Sequence, residues 1–133
     1  MHHLVKILIL SSLLLIPATL FAQSHNNDVF TPIGKYIVKG DAESLSAWFD
    51  ENLEISVSSR ESNASRSQAR HIVKNFFNKN TPQSFSITHA AQKANMKYAL
   101  GTLDAGGETF SVTIFLREKD ESFRIQQFKI ERR

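Results

Sequence analysis

Tyrosine, histidine and carboxylate side chains are the groups in this sequence that could carry acid–base chemistry. An isomerase-type site needs a carboxylate base beside an apolar cavity, and a tyrosine or protonated acid that donates to the developing oxyanion. Tyr98 and His89 fall within alternating, strand-like segments. The carboxylates fall mostly at exposed ends of predicted elements or in a hairpin, at Asp41, Asp50, Glu51, Glu54 and Asp104. Only Glu131, near the chain end, falls within an apolar strand face.

A dehydratase-type pair would need a carboxylate partner for His89, and the spacing supplies none. We therefore predict no catalytic residue, and we keep an isomerase- or dehydratase-type enzyme as the alternative. Because the sequence contains no cysteine, a disulfide framework, a zinc finger, an iron–sulfur site and a thiol nucleophile are excluded. The histidines beyond the first segment, His25, His71 and His89, fall in different predicted elements, so we expect no metal site and no cofactor.

Three residues are predicted to line a pocket: Trp48, His89 and Tyr98. His89 shares its strand phase with Phe85 and Ile87, which would point it toward the helices. There it would either hydrogen-bond a ligand or be satisfied by water or by neighbouring backbone. Trp48 and Tyr98 are interpreted as core aromatics whose polar atoms lie at the pocket rim.

Two surfaces are candidates for binding. Thr113, Phe115 and Arg117 mark the outward face of a predicted strand, where an exposed Phe115 indicates a homodimer surface. A basic stripe on one helix is formed by Arg66, Arg70 and Lys74. It could meet an anionic glycan, a lipid headgroup or an acidic partner, or it could be the solvated side of an amphipathic helix.

The first 22 residues, Met1–Ala22, have the pattern of a cleavable signal peptide. Lys6 precedes an apolar run of about ten residues, Pro17 breaks that run, and small residues lead to a cut between Ala22 and Gln23. A membrane anchor, the other interpretation, would need roughly 20 apolar residues. We therefore expect a periplasmic or secreted protein with no stable membrane span after cleavage.

The charge balance argues against a nucleic-acid partner. The chain has 16 basic and 13 acidic side chains, and removal of Lys6 with the leader leaves 15 and 13, a net charge of +2. The pI of about 9.3 therefore does not indicate an electrostatic footprint for nucleic acid.

The predicted helices and strands begin after a polar tail, residues 23–27. Apolar periodicity predicts a helix from Asp28 that ends at Gly40, followed by a short helix capped by Asp41. A strand follows over Leu53–Val57, and residues 59–64 are interpreted as a polar connection. A capping box at Ser65–Gln68 then opens a third helix, which ends before Pro82.

From Pro82 onward the apolar period changes from 3.6 to 2, which predicts four strands joined by short hairpins. In the last strand the apolar phase switches across Gln126-Gln127, so either a bulge lies there or the strand is buried on both faces. The predicted order is α-α-β-α-β-β-β-β in one domain, residues 28–133. This is an α+β fold with helices packed on a strongly curved antiparallel sheet.

This order resembles the nuclear transport factor 2-like cone, also called cystatin-like. The segments that carry the resemblance are Gly40-Asp41…Trp48-Phe49, Ser67-Gln68-Ala69…Phe76-Phe77, Phe85…His89, Tyr98–Leu103, and Phe110-Ser111-Val112…Phe115-Leu116. They are similar to a Bacteroidetes family of small exported proteins of unknown function. The resemblance implies a fold and no catalytic residues, although the wider superfamily includes ketosteroid isomerases and dehydratases.

Together these features predict an exported, non-catalytic domain. It would bind a small apolar ligand or an envelope protein partner in or around a cone-shaped pocket. The alternatives are the enzyme described above and a structural homodimer that uses the outward sheet face.

Overall fold

A computed structural model describes residues 28–133, and the predicted leader, its cleavage position and the tail lie outside these residues. The described chain forms three helices and six strands: α1 (Phe30–Lys39), α2 (Ala42–Ser46), β1 (Phe49–Val57), β2 (Arg60–Ser65), α3 (Arg66–Lys79), β3 (Pro82–Lys93), β4 (Met96–Ala105), β5 (Glu108–Lys119) and β6 (Ser122–Arg132).

The helix boundaries follow from local capping chemistry. Gly40 ends α1 in the left-handed conformation, with φ of 67°, and the Asp41 carboxylate accepts a hydrogen bond from the Ser44 N–H at 3.0 Å to start α2. Ser65 and Gln68 form a reciprocal capping box at the start of α3. All three predicted boundaries are confirmed.

All six strands form one sheet, in the order β2-β1-β6-β5-β4-β3. The four-strand meander β3 to β6 is antiparallel, as predicted, and β1 joins it by pairing parallel to β6. The expected connection over residues 59–64 is instead the strand β2, which pairs antiparallel with β1. Residues 60–63 are all exposed, so the segment lacks apolar alternation, and a tight turn at Ser58 and Ser59 (φ 55° and 68°) specifies the hairpin.

The phase switch in β6 is a bulge. Phe115 pairs with Gln127 and Leu116 with Ile125, so Gln126 has no partner on β5. The extra residue keeps Ile125 and Phe128 both fully buried on the same face. Of the two explanations left open by the sequence, the bulge is therefore confirmed.

The helices cover one face of the sheet, here called the inner face; the opposite side is the outer face. Between helices and sheet the interior is filled by aromatic and aliphatic side chains. The rings of Phe76 and Phe110 meet edge to face at 5.0 Å between centroids, and those of Phe49 and Phe128 lie 6.0 Å apart. The predicted α+β architecture is confirmed. Among residues 28–133, no helix has the length and apolar character needed to cross a membrane.

Candidate functional site: a cleft between α1 and β3

An apolar cleft of about 610 Å³ lies where α1 packs on β3. Its lining comes from these two elements and from Asp28, two residues before α1, with no contribution from β4: Asp28, Phe30, Thr31, Gly34, Lys35, Val38, Phe85, Ile87 and Ala90. Val38 and Ile87 are 36% and 37% exposed, and they are the exposed large apolar side chains of the described residues. Both therefore lie in one cleft, which leaves a local patch of apolar surface open to solvent.

The α1 wall of the cleft arises from helical spacing. Ile33 and Ile37 are fully buried in the core, whereas Phe30, Gly34 and Val38 follow one another at four-residue intervals on the neighbouring side. At Gly34 a Cβ atom would lie 3.5 Å from the Phe85 ring, which is ordinary contact, so α1 packs against this ring at Gly34. The spacing of Phe30, Gly34 and Val38 is the sequence signal that could have indicated this wall.

The β3 wall depends on a glycine in the next strand. A Cβ atom on Gly101 would lie 2.7 Å from the Phe85 ring and 2.8 Å from the Ser86 carbonyl oxygen. Only glycine therefore lets the Phe85 ring lie over β4 while β3 keeps its position.

A bulge at Thr88 ends the apolar face of β3. Ile87 pairs with Gly101 and His89 with Leu100, so Thr88 has no partner on β4, and its hydroxyl donates to the Leu100 carbonyl at 3.0 Å. The extra residue moves His89 to the outer face, where it is exposed. The expectation that His89 shares a face with Phe85 and Ile87 is therefore wrong, because the sequence period gave no sign of the bulge.

The structure does not bring Trp48, His89 and Tyr98 together. Tyr98 is half-buried on the outer face of β4, where it pairs with Phe115 of β5. Trp48 is half-buried and lines a separate cleft of about 390 Å³ with Val29 and Phe123, among others. The α1–β3 cleft is lined by none of the three.

The predicted outward residues Thr113, Phe115 and Arg117 do lie on the outer face, and all three are half-buried. The Arg117 guanidinium lies 5.5 Å from the Phe115 ring centroid, and its Nε donates to Gln126 Oε1 at 3.3 Å. Arg117 therefore covers part of the ring that was expected to be exposed.

The basic stripe is not one continuous surface. Arg66 Nε donates to the Phe49 carbonyl at 3.0 Å, so this guanidinium is tied to the backbone. Arg70 lines a cleft of about 640 Å³ between α3 and β2, and Lys74 is exposed. The three side chains thus have three different surroundings.

Two ionisable groups lie in the lining of the α1–β3 cleft. The Asp28 carboxylate accepts hydrogen bonds from the Thr31 hydroxyl and from the Thr31 and Phe30 N–H groups. The Thr31 hydroxyl bond is the main reason that the pKa of Asp28 lies below its ordinary value, with partial burial opposing it. The second group is Lys35, on the α1 side.

Lys97 is buried on the inner face of β4, and its charge acts on Asp28. It is 2% exposed, its Nζ donates to Gln92 Oε1 at 2.7 Å, and it lies 4.8 Å from the centroid of the Phe123 ring. Its positive charge also helps to lower the pKa of Asp28. Asp28 is therefore ionised and well partnered at neutral pH.

Asp50 is the buried acid of the described residues, at 6% exposed. Burial works to raise the pKa of its carboxyl, but hydrogen bonds from the Glu51 N–H, Gln126 and Lys119 outweigh it and leave the pKa below the ordinary value. Both carboxylate oxygens are engaged, Oδ1 by the Glu51 N–H and Lys119 and Oδ2 by Gln126, which is the bulged residue of β6. Asp50 therefore holds Gln126, the bulged residue of β6, in place through this hydrogen bond. Within residues 28–133, no group of three histidine or carboxylate side chains is placed to hold a metal ion.

Comparison with known proteins places this geometry in a family. A family model described as "Domain of unknown function (DUF4783)" matches residues 30–131. No curated protein matches the chain. The match covers almost all of the described fold, including both walls of the cleft.

Solved structures agree with the fold. A DUF4783 family protein from Bacteroides uniformis is similar with a TM-score of 0.77 and 18% identity, over 80% of this chain and 98% of that one. A second, from Bacteroides ovatus, has a TM-score of 0.73 and 22% identity, over 76% and 92%. A protein of the NTF2-like family from Streptomyces avermitilis has a TM-score of 0.63 and 14% identity, over 88% and 98%. The resemblance to an NTF2-like cone expected from the sequence is confirmed.

Proposed function

The chain belongs to the DUF4783 family of domains of unknown function, and from this premise we propose that it is an exported, non-catalytic binding domain. Its α1–β3 cleft would hold the apolar groups of a small ligand or of an envelope protein partner. The observation that carries this proposal is that Val38 and Ile87, the exposed large apolar side chains of the described residues, line the same cleft.

The placement of ionisable groups supports binding over catalysis. The carboxylate in the cleft lining is Asp28, and its hydrogen bonds to Thr31 and Phe30 hold it as a satisfied anion rather than a poised base. Tyr98 and His89 lie on the outer face, away from this cleft. An isomerase- or dehydratase-type reaction would therefore need a base and a donor supplied from elsewhere.

Binding of 1-anilinonaphthalene-8-sulfonate, a dye that becomes fluorescent in apolar sites, tests the proposal. We expect Val38→Ser and Ile87→Ser each to lower the dye's affinity at least about threefold, since each removes apolar contact area. The matched control is Ile72→Ser, which changes the clefts beside α3 and should leave dye affinity unchanged. Circular dichroism checks that each variant is folded. Equal dye affinity in the wild type and both cleft variants would exclude the cleft as the binding site.

A homodimer through the outer face is a second candidate. Tyr98 and Phe115 are cross-strand partners on the outer face, which none of the three described helices covers. Sedimentation equilibrium should then give a dimer mass that Phe115→Ser converts to a monomer mass. A monomer in the wild type at high concentration would remove this candidate.

A further inference from the structure

β3 forms one edge of the sheet, and it pairs only with β4 among the strands of the described chain. The strand is 12 residues long, and the segment Pro82–Thr88 contains no charged residue. Edge strands are commonly guarded by brevity, charge or proline, because their free N–H and C=O groups can pair with another strand. Of these guards, β3 has Pro82 at its start and Lys93 at its end, and its register to β4 also shifts at Gln83 and at Thr88. The stretch Ser84–Ile87 between the two shifts carries none.

The apolar cleft lies along this same edge. Its lining comes from α1, Asp28 and β3 without any β4 residue, so it lies over β3 itself, the strand beside which a further strand would add. A strand added there would lie about 4.8 Å from β3, and every second side chain would face the helices. Those side chains would cover Ile87 and Val38.

The charge of the cleft indicates what else the added strand carries. Lys35 lines the cleft and makes no ion pair with the described residues. Asp28, the anion of the cleft, is already satisfied by Thr31 and Phe30. A carboxylate on the incoming segment could thus pair with the Lys35 ammonium group, whereas a lysine at the same place would be repelled by it.

We infer that β3 accepts an extended peptide segment of a protein partner as an additional strand. The side chains of this segment that face the helices fill the α1–β3 cleft. They are apolar except for one acidic side chain, which meets Lys35. This inference rests on the proposed function and names the partner of the same site. It uses the general mode of β-strand addition, in which main-chain hydrogen bonds give affinity and alternate side chains give specificity.

The probe is a nine-residue synthetic peptide in which valine alternates with threonine, with glutamate in place of one central valine, so that it faces the helices together with the remaining valines. Fluorescence anisotropy measures its binding to the folded protein, and a matched peptide carries lysine in place of glutamate. We expect the glutamate peptide to bind more tightly than the lysine peptide. Lys35→Glu should reverse this preference, since it replaces the cation that meets the peptide's glutamate with an anion.

Backbone methylation separates strand addition from simple apolar contact. Methylating the alternate peptide nitrogens that face β3 should weaken binding at least about tenfold, because it removes main-chain hydrogen bonds. Methylating the intervening nitrogens should change binding less than about twofold. Equal effects of the two methylated peptides would overturn strand addition.

The remaining outcomes are also decisive. If dye binding requires Val38 and Ile87 but the glutamate peptide shows no binding at about 1 mM, strand addition is overturned and the proposed function survives. If neither probe depends on these residues, both fail. A concentration-dependent dimer that the glutamate peptide does not dissociate, and that Lys35→Glu abolishes, would identify a second copy as the occupant and overturn the peptide assignment.

Discussion

The two edges of the sheet differ in length, charge and cover. β2 has six residues and carries Arg60 and Glu61 at its start, whereas β3 has 12 residues and no charge through Thr88. The helix beside β2 presents polar and basic groups to its cleft, including Arg70 and His71. The helix beside β3 presents Phe30 and Val38.

This difference indicates at which edge of the sheet binding of another chain is expected. At β2, brevity and charge discourage pairing with another chain. At β3 an unpaired strand edge and an apolar cleft occur together. Of the two edge strands of the sheet, β2 is therefore protected against pairing with another chain, whereas β3 is open to it. The interior of the cone is packed, and the contrast therefore lies between surfaces rather than between cavities.

The largest expected effect comes from disturbing how the β3 edge rests on β4. Gly101→Val should destabilise the fold by about 3 kcal/mol, because the new side chain meets the Phe85 ring and the Ser86 carbonyl. Urea unfolding measures this loss. A decrease of less than about 0.5 kcal/mol in the free energy of unfolding would mean that β3 can move relative to β4 at little cost. The β3 side of the cleft would then not be held in a fixed position.

Matched truncations beside the two edges should give unequal losses. Ile72 packs against the core beside β2, so Ile72→Ala should cost about 2 kcal/mol. Val38 is already one-third exposed beside β3, so Val38→Ala should cost less than about 0.5 kcal/mol. Thermal unfolding of both variants measures the comparison, and similar losses would contradict the assignment of Val38 to an open cleft.

On the β1–β6 side, the polar anchor at Asp50 should make stability depend on pH. The folded-state pKa of Asp50 lies below the ordinary value of 3.8, so its contribution is complete above that value and is lost as pH falls through the lower, folded-state pKa. Asp50→Ala should destabilise by about 1 to 2 kcal/mol at neutral pH.

Unfolding curves from pH 6 down to about pH 2 test this. The wild type should lose more stability over that range than Asp50→Ala. The matched control is Asp41→Ala, which removes a carboxylate whose pKa is lowered chiefly by the Ser44 N–H but which lies outside the bulge. Parallel curves for the wild type and Asp50→Ala would show that Asp50 does not anchor the bulge.

The features that the sequence predicts correctly are those that depend on residues close to one another in the chain. Helix caps at Asp41 and Ser65 depend on residues within one turn, and the meander depends on alternation within each strand, so both are confirmed. The bulge in β6 was also visible, because apolar residues on both sides of Gln126-Gln127 changed phase.

What the sequence missed depends on pairing between distant segments. After the Thr88 bulge the apolar residues of β3 are the adjacent pair Ala90-Ala91, which does not alternate and so does not reveal a change of phase. The strand period therefore predicts the wrong face for His89. β2 gains its strand conformation from β1 and not from its own pattern. The cleft depends on the Phe85 ring of β3 lying over Gly101 of β4 and against Gly34 of α1, and no single segment of the sequence shows that these three residues meet.

The smallest expected effect is a gain of stability at the receptive edge. Gly34→Ala places a methyl group 3.5 Å from the Phe85 ring, which is ordinary contact, and replaces a glycine inside α1. We expect a stabilisation of about 0.5 kcal/mol by thermal unfolding. Because the methyl enters the lining of the cleft, dye affinity should fall while stability rises. A variant that gains stability with unchanged dye affinity would show that the dye binds away from Gly34. The contact between Gly34 and Phe85 would then contribute to packing and not to binding.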